Sequence, residues 1–147
     1  MTISRHHVAA LHAALTGDAD AFDRIDRDIG LGDGRDFPAL LTTAFIAASH
    51  LQFANGWSTA DVIRFVSQVR IRDGDRVPVS PTLAEQMILS ALGDKPFSIS
   101  ADATATAYTQ FILMRRLVSD LGDERLSLLL AQAQDNANQW IAEQASA

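Results

Sequence analysis

Arg115 is the residue whose sequence surroundings are least ordinary for its type. Helical spacing puts it inside an apolar arc made by Tyr108, Phe111, Met114 and Val118, and turns Arg116 away from that arc. A guanidinium on a buried face must be paired or must snorkel along its stem. The plain reading is a structural ion pair with an aspartate or a helix C-terminus. The functional reading is an anchor for an anion or a partner in a groove, with Tyr108 and His50 supplying the other polar contacts.

The other chemical candidates fail on spacing. Residues 16–36 carry seven aspartates against Arg24, Arg27 and Arg35, a net charge of -4. A calcium loop needs oxygen ligands at positions 1, 3 and 5 and a bidentate acid at position 12. Counted from Asp18, position 5 is Phe22 and position 12 is Ile29; counted from Asp26, they are Gly30 and Phe37. The acidic run therefore reads as a helix cap and a solvated face. Gly30-Leu31-Gly32-Asp33-Gly34 has a helical pattern before it, not a strand, and Asp33 and Asp36 would repel a phosphate.

Gly56-Trp57-Ser58-Thr59-Ala60 imitates a nucleophile elbow, but that motif needs a parallel sheet behind it. The four histidines (His6, His7, His12 and His50) include no HExxH pair. His12 falls inside the Val8–Leu15 stripe, where a hydrogen-bonded core histidine is the plain reading, and no metal site is assigned. No catalytic residue and no cofactor are assigned either.

These residues must be positioned by helices, and the helix punctuation is legible. Val8, Leu11 and Leu15 share a stripe that Gly17 closes. Asp18 caps a second helix buried through Phe22, Ile25 and Ile29. A third runs from about Asp36 to Asn55, apolar on one wide arc and again at Ile46 and Phe53, so it is expected to pack on two sides as the central element. Ser58 with Asp61 reads as a capping box, and Trp57 with Val62 as its hydrophobic staple.

Ser80-Pro81 is a cap followed by a first-turn proline, and Gly93 closes that fifth helix. A sixth helix runs from Ser100 to Leu121. A seventh begins at Asp123, with Leu126, Leu129, Leu130, Ala133, Ala137, Trp140 and Ile141 along one face. Residues 77–79 and 97–99 are extended and could pair as one very short ribbon. The expectation is all-α: a single domain over 1–147, a compact bundle of about seven helices around the helix at roughly 37–55.

Composition narrows the function further. The chain has 147 residues, 48% hydrophobic and 20% charged, with net charge -6 and no cysteine. That is a globular composition, and it removes disulfides, thiolate metal sites and cysteine nucleophiles. Neither a signal peptide nor a run of about 18 apolar residues is present, so a cytoplasmic protein without membrane association is expected.

Arg64, Arg70, Arg72 and Arg76 raise the possibility of DNA binding. The following helix, the only plausible reader, holds no Lys or Arg, and the net charge opposes phosphate. No nucleic-acid partner is expected, and the arginines are expected to pair with acidic patches of the protein's own surface. The reading that fits best is a non-enzymatic interaction module. Its partner is itself, as a homodimer through Leu128, Trp140 and Ile141, or another protein. The alternative is a small-ligand-binding helical domain with an apolar pocket between helices, lined by Arg115, Tyr108 and His50.

Overall fold

The structure is a computed structural model and describes residues 5–16, 36–73, 80–93 and 103–146. Six helices occupy nearly all of them: α1 (Arg5–Thr16), α2 (Asp36–Gln52), α3 (Thr59–Asp73), α4 (Pro81–Ala91), α5 (Ala103–Leu117) and α6 (Asp123–Ser146). The described residues contain six helices and no strand, so they are all-α. The expected second helix (18–29), the glycine segment 30–34 and the extended pieces 77–79 and 97–99 lie outside the described residues.

Two compact units are present, one made of Met1–Ala47 with Asp120–Ala147 and the other of Ala48–Ser119. Helix α2 is the one described helix that belongs to both.

In the unit of 48–119, helix starts are fixed locally. The Ser58 hydroxyl accepts from Asp61 N at 3.3 Å, while Ser58 N donates to the Asp61 carboxylate at 2.9 Å. That reciprocal pair satisfies two backbone donors that a helix start otherwise leaves free. Ser80 supplies half of that arrangement for α4, accepting from Leu83 N at 3.3 Å ahead of Pro81. Gly56 and Gly93 follow the ends of α2 and α4 with φ of 99° and 83°, a backbone region that L side chains avoid. Helices α3, α4 and α5 pack on one another through Val62, Val66, Val69, Met87, Ile88 and Leu113. Phe53, in the turn after α2, meets Phe65 edge-on at 5.8 Å.

In the other unit, α1 packs along α6. Leu11, Ala14 and Leu15 are buried on α1, and Leu126, Leu129, Leu130, Ala133 and Ala137 on α6. The alanines in the middle of α6 allow close approach. There the Thr43 hydroxyl of α2 donates to the carbonyl of Ala133 at 3.1 Å, and it lies equally near Ala39 O and Leu40 O of its own helix.

Two expectations about α2 are corrected. The helix ends at Gln52 rather than Asn55, because the chain turns at 53–55 toward Gly56. Its second apolar side is covered only in part: Phe53 packs on Phe65 while Ile46 remains exposed, and on the wide arc Leu40, Leu41, Ala44, Phe45 and Ala48 are buried but Leu51 is exposed. At Ile46 the neighbours on that side are Thr42, Ala47 and His50, too interrupted a surface to bury it.

Candidate functional site

On α5 the buried arc is centred on Thr109, Leu113 and Leu117, spaced four residues apart. At 100° per residue, Arg115 lies about 160° round from Leu113, between buried Phe111 and half-buried Tyr108. It is half-buried and makes no ion pair or hydrogen bond with the described residues. The structural ion pair is not seen among the described residues; of the two expected arrangements, half-burial without a partner corresponds to a snorkelling stem. Phe111, Met114 and Val118 are buried as expected, but they form one edge of a wide arc and not its centre.

Arg116 is the arginine nearer the core side. Its guanidinium donates to Ser119 Oγ at 2.9 Å, and that hydroxyl donates to Arg116 O at 2.9 Å, which ties off the end of α5. Tyr108 is half-buried and shares a face with Arg115, seven residues or about 10 Å upstream. His50 is exposed in the last turn of α2, and no described contact brings it to either of them.

A cleft opens elsewhere, between α1 and α6. Val8, Ala9 and His12 form one wall and Ser127, Leu130, Ala131 and Gln134 the other, around a volume of about 350 Å³. At its mouth His12 Nε2 stands 3.9 Å from Asp123 Oδ1. Sequence reasoning missed this site because Asp123 and Ser127 read as the first turns of a helix, and nothing local announces that His12 faces them. The residue types of a serine, histidine and aspartate relay are thus gathered here.

They are not assembled as a relay. The His12–Asp123 separation exceeds the roughly 2.6–3.2 Å of a working hydrogen bond. No hydrogen bond joins Ser127 to His12, and Asp123 is almost wholly solvated. What the cleft offers is an apolar slot with a few polar groups at its edge. One further buried polar group went unforeseen: Ser49 of α2 is fully buried, and its hydroxyl has no partner among the described residues.

On α6, Leu128 is 66% exposed, Trp140 is 48% exposed and Ile141 is half-buried. Leu128 and Trp140 are about 18 Å apart along the axis and about 120° apart around it, so they belong to two separate apolar spots. Arg64, Arg70 and Arg72 are all exposed on α3. Arg64 lies 3.6 Å from Asp61, whereas Arg70 and Arg72 make no ion pair among the described residues. Among the described residues the expected pairing with the protein's own acidic surface is seen at Arg64 alone, and Arg76 lies outside them.

Among the described residues no three His, Asp or Glu side chains are placed to hold a metal ion, and no helix is long and apolar enough to cross a membrane. Comparison with known proteins finds no matching family model, no matching curated protein and no matching solved structure.

Proposed function

We propose that this chain is a non-enzymatic helical interaction module that associates with a second copy of itself through its C-terminal helix. One observation carries the reading. Along α6 the buried stripe holds from Leu126 to Ala137 at no more than 8% exposure, then fails at Trp140, which keeps 48% of its surface uncovered. A tryptophan offers one of the largest apolar surfaces a side chain has, and its indole sits well at interfaces where one edge stays wet. Leu128, alone on the solvated side of the same helix, adds a second uncovered spot.

Sedimentation velocity tests the reading. The wild type is expected to form a dimer as concentration rises toward ~100 μM, well above a micromolar dissociation constant. Trp140→Ala is expected to remain monomeric with its helicity retained. A wild type that stays monomeric throughout that range ends the reading. The reading keeps the protein in the cytoplasm, where a chain without cysteines is at no disadvantage, and gives it no nucleic-acid or membrane partner.

A second reading, small-ligand binding, is favoured by the cleft between α1 and α6. Its volume of about 350 Å³ lies at the small end of ligand sites, and it is walled by apolar residues with His12, Ser127 and Gln134 at the edge. A ligand bound there raises the melting temperature in proportion to the logarithm of its concentration, which a metabolite panel would detect.

A further inference from the structure

Helix α3 and helix α6 each present a solvated face with a large apolar residue at its middle, and the two faces carry opposite charge. On α3 the outward line is Ile63, Ser67 and Ile71, four residues apart, with Ile63 46% and Ile71 79% exposed. Arg64 and Arg70 flank that line on either side, and Arg72 follows it. On α6 the outward line runs through Glu124, Leu128 and Asp135, at helical spacings of four and seven. From 123 to 143, α6 carries four carboxylates against Arg125 alone.

We infer that the α3 face of one copy receives the Leu128 face of α6 from another copy. The inference rests on the self-association reading and adds a second contact to the Trp140 spot, both being needed for the complex at ~100 μM. The fit has two parts. Small Ser67 leaves a dip between Ile63 and Ile71, each about 6 Å away along the axis, and a leucine side chain fills such a dip as a knob fills a hole. Arg64 and Arg70 then stand about 4.5 Å to either side of the dip along the axis, within reach of Glu124 and Asp135, which lie about 6 and 10 Å from Leu128.

The pairing supplies two things that neither face has alone. Arg70 gains a carboxylate partner that it lacks among the described residues, and three exposed branched apolar side chains leave water together. The arrangement also argues against nucleic acid as the occupant. Ile71 sits in the middle of the arginines, where a phosphate backbone would need a polar surface. One pair of helix faces covers less than the ~1,200 Å² of a standard stable interface, so the contact is expected to be micromolar and salt-sensitive.

The test is a charge swap with complementation, read by sedimentation velocity at ~100 μM in low and high salt. The double variants R64E/R70E and E124R/D135R are each expected to be monomeric alone, because like charges then face each other. Mixed in equal amounts, they are expected to regain the wild-type complex, since the swapped faces match each other and the untouched faces still match. High salt is expected to weaken the wild-type complex.

Ile71→Ser, a change at an exposed position that leaves charge alone, is expected to weaken association about fivefold or more. It decides the matter should a charge variant fail to fold by circular dichroism. If the wild type associates but both double variants associate equally well, or the mixture stays monomeric, the α3–α6 pairing is wrong while self-association stands. If the wild type itself is monomeric, both fall together.

Discussion

The residues from 48 to 119 and those of the other unit both close a helical core, but they specify it over different distances. In 48–119 both capped starts are written within four residues, as Ser58 with Asp61 and Ser80 with Leu83. In the other unit two polar contacts between helices join residues ninety or more positions apart: Thr43 with Ala133, and His12 with Asp123. Short-range hydrogen bonds fix where a helix begins whatever surrounds it. Long-range contacts exist only once the helices are assembled, so they report packing and not punctuation.

The largest expected effect probes the long-range side of that contrast. Leu40, fully buried in α2 one turn before the Thr43 hydrogen bond, should cost ~2–5 kcal/mol when changed to alanine, measured by urea unfolding. A loss below about 1 kcal/mol would mean that this core tolerates a cavity and that burial does not specify it. Next comes the local side. Ser58→Ala should cost about 1 kcal/mol, and Thr59→Ala, one residue inside the helix, much less. Equal melting temperatures for the two variants would remove the capping box as the determinant of the α3 start. The smallest effect falls outside both categories: Arg115→Ala should stay within about 0.5 kcal/mol, because the side chain is half-solvated and unpaired among the described residues. A large loss there would reveal a long-range partner.

The same contrast explains which parts of the molecule could be read in advance. Helices α3 and α4 begin at the residues that their caps announce, since serine and proline act on neighbouring backbone groups, and α6 begins at Asp123 as its pattern indicates. The α6 stripe was legible down to Ala137 because periodicity gives the face of a helix directly. The surroundings of Arg115 were legible only in part for a related reason. Apolar residues surround most of α5, so the pattern identified the helix but not the centre of its buried arc. The α1–α6 cleft and the opposite charges of the α3 and α6 faces were illegible, because no spacing in one segment reveals what another segment covers or leaves bare.

Gly56 and Gly93 carry a consequence for the stereochemistry of the chain. At both, a β-carbon would meet nothing within 4 Å, so there is room for a side chain and only the backbone angle refuses it. The obstacle is chirality, not volume: a residue of the opposite hand would favour the positive φ that an L residue avoids. These two positions are where the polypeptide asks for a mirror-image building block that the ribosome does not provide. Glycine, being achiral, is the available substitute, and it brings extra freedom to the unfolded chain that a D-residue would withhold.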